Sequence, residues 1–97
     1  MGGEGDIPKF DPAGPDLVYA MIADHIERRI RGREFNPGQR LPAERELAET
    51  YGVAYMTMRR AIRELRERGL VETVVGKGNF VVRHIPHAIP HDATELD

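Results

Sequence analysis

Residues 42–69 read PAERELAETYGVAYMTMRRAIRELRERG. Pro42 suits the opening of a helix whose Leu47, Ala48 and Tyr51 fall on one side, and Gly52 is its C-terminal stop. A new apolar stripe starts almost at once. Met58, Ala61, Ile62 and Leu65 recur at i, i+3, i+4 and i+7, which predicts a helix from near Ala54 to Gly69. Val53 stands five positions before Met58, where a hydrophobic staple fixes the angle at which the chain enters a helix. Two helices about a short hinge, the second with arginines on its outer side, make a helix-turn-helix arrangement.

Upstream, Val18, Met21, Ile22, Ile26 and Ile30 form one buried stripe, predicting a first helix with Asp16 as N-cap that runs to about Arg33. Asn36-Pro37-Gly38 is turn chemistry and breaks the chain. Gln39-Arg40-Leu41 is too short to assign, with an edge strand as one option. Downstream of Gly69, residues 70–75 are β-branched, Gly76-Lys77-Gly78 is a turn, and residues 79–83 are strand-like again, which predicts a hairpin with a lysine at its tip. Gly and Pro dominate residues 1–15, the composition of a flexible arm. Residues 84–97, with Pro86 and Pro90, read as a disordered tail or linker. The domain is therefore expected over 16–83, mainly α with a small antiparallel β hairpin.

A chain of 97 residues leaves room for one such domain and little for a large internal cavity. It contains no cysteine and no serine, which excludes disulfides, thiolate zinc sites and thiol or serine nucleophiles. No apolar run approaches the roughly 18 residues of a membrane span, so a cytoplasmic module without membrane contact is expected. The net charge of −2 argues at first against a polyanionic partner. Its distribution argues the other way: residues 53–83 hold seven basic and three acidic side chains, while both ends are acidic. Screening within about 8 Å at physiological salt makes the local excess the one that a polyanion feels.

On a helical wheel of the third helix, Met56, Arg60, Arg63 and Glu67 point outward, with Tyr55, Thr57, Arg59 and Arg66 on the flanks. A solvated charged face is the ordinary reading of such a pattern. Arg60, Arg63 and Arg68 each have a glutamate four residues away on the helix, and such pairs contribute a few tenths of a kcal/mol. Arg59 has none, since its neighbours at that spacing are Tyr55 and Arg63. The first turn, Tyr55-Met56-Thr57, also lacks an acid to offset the positive helix end, which suits it to an anion. Lys77 between two glycines is a second contact candidate, because glycine lets the backbone come close to a partner. The spacing of a phosphate-binding loop is absent. His84, His87 and His91 lie in a Pro-containing tail with no preorganised geometry for a metal, and His25 falls beside the first helix's buried stripe as a packed residue. Glu44, Glu46 and Glu49 read as a solvated face. No catalytic constellation, metal site or cofactor site emerges.

Leu41-Pro42-Ala43-Glu44-Arg45-Glu46-Leu47-Ala48, Tyr51-Gly52-Val53, Arg59-Arg60-Ala61-Ile62-Arg63-Glu64-Leu65, Gly69-Leu70-Val71-Glu72 and Gly76-Lys77-Gly78 together resemble the DNA-binding domain of GntR-type bacterial transcriptional regulators. The resemblance spans about residues 17–82, in the family's order and spacing. It implies a three-helix winged helix-turn-helix whose third helix reads the major groove of double-stranded DNA while the hairpin wing approaches the minor groove. Arg45, Thr57, Arg59, Gly76, Lys77 and Gly78 match DNA-contacting positions. Tyr55, Met56 and Arg60 complete the expected contact set from their place on the third helix.

Two departures stand out. Ala54 and Tyr55 occupy positions where the family usually has serine or threonine and then arginine. Ala54 forgoes a side-chain cap at a cost of about 1 kcal/mol, and Tyr55 cannot make an arginine's bidentate contact to guanine. Ala43 likewise replaces a serine. The family usually continues into a ligand-sensing or dimerisation domain, which the fourteen residues after Arg83, net acidic and Pro-containing, cannot build, so the effector domain is expected to be absent from this chain. The resulting expectation is a non-enzymatic regulator, a repressor rather than an activator, working as a homodimer on a (pseudo)palindromic operator. A winged-helix module that binds protein is the alternative from another class.

Overall fold

The computed structural model describes residues 15–87. Its elements run α1 (Pro15–Arg31), α2 (Glu44–Tyr51), α3 (Tyr55–Glu67), β1 (Val71–Val74) and β2 (Gly78–Val81). Residues 1–14 and 88–97, with most of the expected arm and tail and with His91, lie outside the described residues.

The predicted stripes become the core, except that Met21, expected in the buried stripe of α1, is 41% exposed at its edge. Ile22, Ile26 and Ile30 of α1 meet Met58, Ile62 and Leu65 of α3, all fully buried. Leu47, Ala48 and Tyr51 of α2 close the cluster on one side, and Leu70, Val71 and Val81 close it on the other. Val53 packs against this core just ahead of Met58, where a staple belongs. Burying one such aliphatic side chain contributes about 1.5–3 kcal/mol, so apolar packing and not the short hairpin holds the domain together. His25 is buried as expected, its Nδ1 2.7 Å from the Tyr51 hydroxyl.

Helix ends differ slightly from expectation. α1 starts at Pro15 and not after an Asp16 cap, and it stops at Arg31 because Arg33 takes a left-handed φ of 68°. α2 starts at Glu44 with Ala43 as N-cap, leaving Pro42 just outside the helix. Gly52 lies at φ 67°, a conformation that glycine adopts without the steric cost of a Cβ, and its N–H closes on Ala48 and Glu49 carbonyls. Val53 and Ala54 complete the turn into α3.

β1 and β2 pair antiparallel, with Val71 opposite Val81 and Val74 opposite Gly78. Residues 39–41 join the free edge of β2. Arg40 bridges to Phe80, and the Leu41 N–H donates to the Asn79 carbonyl at 2.8 Å, so the segment left open between turn and strand pairs with β2 through an isolated bridge. Arg68 pins α3 to α1 through Asp24 (2.9 Å) and Glu27 (2.8 Å), with Glu64 of its own helix at 2.9 Å. Past the hairpin, Ile85 packs on the core and the Pro86 carbonyl accepts a 2.6 Å hydrogen bond from Arg31, so the first residues read as tail are held against the domain.

Candidate nucleic-acid interface

α2 and the start of α3 are brought side by side by the Gly52 turn, and the hairpin curls back so that its tip faces the same side. Arg40, Glu44, Arg45, Tyr55 and residues 73–79 line one trough of about 500 Å³. A second hollow, about 310 Å³, follows the outer face of α3 between Met56, Arg59, Arg60, Arg63 and Arg66. Glu44 lines both and joins them into one surface.

The expected contact residues are brought together in two groups. Arg45 is exposed on α2 with its guanidinium carbon 4.3 Å from the centre of the Tyr55 ring, and Arg59 approaches the same ring at 5.9 Å. Such cation–π contacts hold otherwise floppy side chains in place. Gly76, Lys77 and Gly78 form the exposed hairpin tip across the trough, and Gly78 takes φ 125°, a backbone conformation open essentially to glycine. Met56, 62% exposed, projects from the outer face of α3. Thr57 is half-buried and lies outside both hollows. Arg60 stands at the far edge, with its guanidinium carbon 4.1 Å from the Tyr19 ring centre. Glu64, one turn along α3, receives Arg68 at 2.9 Å.

Ala54 caps α3 with no side-chain hydrogen bond and the first turn contains no acid, so the positive end of this helix stays uncompensated by its own side chains. The expectation that Arg59 lacks a partner needs correction. Its Nε lies 3.7 Å from Glu44 Oε1, a carboxylate contributed by α2 and invisible to spacing rules within one helix. Glu44 is accordingly no member of a solvated face: its side chain is 22% exposed and also accepts from Asn79 and Tyr55.

Sequence reading also missed Arg40. Its side chain runs alongside Gly78, with Cδ 3.6 Å from where a Cβ there would sit, and adds a second cation to the wing side of the trough. A lone basic residue in a segment just long enough to pair with a strand was the available signal.

Three helices, a hinge glycine between the second and third, and a two-stranded wing define a winged helix-turn-helix domain. The sequence profile of the bacterial regulatory proteins of the gntR family matches residues 18–81, and the chain belongs to that family. It is 39% identical over 68 residues to the mannosyl-D-glycerate transport/metabolism system repressor MngR of Escherichia coli (strain K12), an alignment covering 70% of this chain and 28% of that protein. Among solved structures, a GntR family transcriptional regulator from Listeria monocytogenes superposes with TM-score 0.70 at 32% identity, over 77% of this chain and 64% of that one. The DNA-binding domain of AraR in complex with operator ORX1 superposes with TM-score 0.63 at 38% identity, over 66% and 77% respectively. The chain therefore spans little more than a quarter of the length of MngR.

Proposed function

We propose that this domain binds double-stranded DNA in a sequence-specific manner and represses transcription, with the N-terminal half of α3 in the major groove and the Gly76-Lys77-Gly78 tip at the minor groove. The observation that carries the reading is that Arg45, Tyr55 and the glycine-flanked Lys77 line one trough, while Arg59, beside the same Tyr55 ring, lines the hollow joined to it at Glu44. A major groove about 12 Å wide admits one α-helix, and side chains from its first turns reach base edges. Arg59 reads a base, ideally guanine, while Tyr55, Met56 and Thr57 meet base edges, thymine methyls or phosphates. Arg45, Arg60 and Lys77 hold the backbone or the minor groove.

The AraR domain solved on its operator supports DNA binding here, and the name of MngR supports repression. One domain offers few contacts, so two copies on a (pseudo)palindromic site account for useful affinity. The setting is the cytoplasm, where DNA is accessible; among the described residues no helix is long and apolar enough to cross a membrane. No enzymatic role is assigned to these residues. A protein-binding role would require a broad apolar patch, whereas Met56 of α3 sits among arginines.

The test is a pair of titrations, one with a duplex selected by the protein from a random pool and one with its scrambled counterpart. Arg59→Ala removes about 1–3 kcal/mol of discrimination between them, whereas Lys77→Ala weakens both alike. Undiminished discrimination in Arg59→Ala overturns the assignment.

A further inference from the structure

A carboxylate in the middle of a surface meant for a polyanion repels that partner, and Glu44 is held there by a directed relay. Arg66 can only donate, so Thr73 Oγ1 accepts from it at 3.0 Å. The Thr73 hydroxyl is thereby turned to donate to Asn79 Oδ1 at 2.6 Å. Asn79, buried to 7% exposure in β2, then presents its amide nitrogen and donates to Glu44 Oε2 at 3.1 Å. One oxygen of Glu44 is thus fixed by the wing. The other, Oε1, faces α3, with the Tyr55 hydroxyl at 3.5 Å and Arg59 Nε at 3.7 Å. Asn79 is the buried member of this chain, and its bonds on both sides hold the amide that anchors the carboxylate.

The atom of Arg59 that faces Glu44 matters. The contact is through Nε, on the inner edge of the guanidinium, whereas Arg59 itself remains 55% exposed. A bidentate reading of guanine uses two N–H groups in fixed geometry; a phosphate contact takes any. An internal anion beside Arg59 competes with phosphates, which attract it on every sequence alike, and orients the fork along one direction.

We infer that Glu44, anchored through Asn79, is a specificity-setting positioning residue: it engages Arg59 from within the protein, lowers affinity for DNA at large and reserves that arginine for base readout. This rests on the DNA-binding reading above. Glu44 acts here through Arg59, and its own carboxylate reads no base.

Glu44→Gln keeps the shape and the acceptor for Asn79 while deleting the charge, so it separates position from electrostatics. The probes are a duplex selected from a random pool by the wild-type chain and a scrambled duplex of equal length, each titrated over a range of salt. In Glu44→Gln the ratio of selected to scrambled affinity falls about tenfold, chiefly because scrambled DNA binds more tightly. The log–log salt slope for scrambled DNA steepens by about 0.9, the mark of one more phosphate engaged. In an Arg59→Ala background the same substitution changes scrambled affinity by less than about twofold, since the two residues act as one unit. Equal loss on both duplexes, no change on either, loss on the selected duplex alone, or an effect that persists without Arg59 each overturns the inference. A wild-type chain that binds no duplex at all defeats the DNA-binding reading itself, a result distinct from these.

Discussion

The guanidinium of Arg45 on α2 lies over the ring of Tyr55 on α3, 4.3 Å from its centre, so the two helices of the motif share one side-chain platform. Tyr55 stands where the family usually places an arginine, and here its ring lies beside the guanidinium groups of Arg45 and Arg59.

Removing that support has a measurable consequence. Tyr55→Ala frees Arg45 and weakens binding to all duplexes about two- to fivefold, the worth of about 0.5–1 kcal/mol of exposed cation–π contact. Tyr55→Phe, which keeps the ring and deletes only the bond to Glu44, loses less. Fluorescence anisotropy titrations compare the three; equal losses in the two variants would assign the effect to the hydroxyl.

Ala54 has φ −66° and ψ 150°, the extended backbone an N-cap requires, yet it offers no side-chain oxygen to α3. Ala54→Ser supplies one without rebuilding the turn. The variant gains about 1 kcal/mol, which in a domain of this size raises the melting midpoint by roughly 4–8 °C. Thermal unfolding followed by circular dichroism reads it, and an unchanged midpoint would mean that the α3 amides are already satisfied by water at no cost.

The acidic side of the stability profile is set in part by Glu27. Burial pushes its carboxyl up, but hydrogen bonds from Arg31 and Arg68 outweigh this and hold it below the ordinary 4.5. The unfolded chain therefore binds the proton first, and the stabilisation is complete above that value and lost as pH falls through the folded one. Arg68 moves the other way, held above its ordinary value by Glu64, Glu27 and Asp24 against the opposing effect of burial, and it stays charged throughout. Melting midpoints measured between about pH 7 and pH 3 should drop at the acid end, and Glu27→Gln should lower the neutral midpoint while flattening that drop. An acid limb of unchanged steepness in Glu27→Gln would assign it to other carboxylates.

The architecture was legible where periodicity speaks. The stripes on α1 and α3, the Gly52 hinge and the Gly76-Lys77-Gly78 tip each follow from local sequence. Relations across elements were not. Glu44 and Arg59 meet only because the hinge lays α2 against α3, and a separation of fifteen positions hides that from any i, i+4 rule. Arg60 turns to Tyr19 of α1 for the same reason. Residues 39–41 carry too little pattern to declare a strand, and it is the edge of β2 that gives them a bridge. Arg33 ends α1 in a left-handed conformation that propensity assigns to glycine or asparagine. The expected contact residues come together on one side of the fold, and Glu44 and Arg40, which no local spacing links to them, lie among them.

The most direct test of the account is a chemical-shift map of the ¹⁵N-labelled chain titrated with a duplex selected from a random pool. The account predicts the largest changes at Arg45, at residues 55–60 and at residues 76–78, along with Arg40, while the far side of α1 stays silent. Changes gathered on α1 and the segment after Val81, with α3 and the wing unmoved, would contradict it.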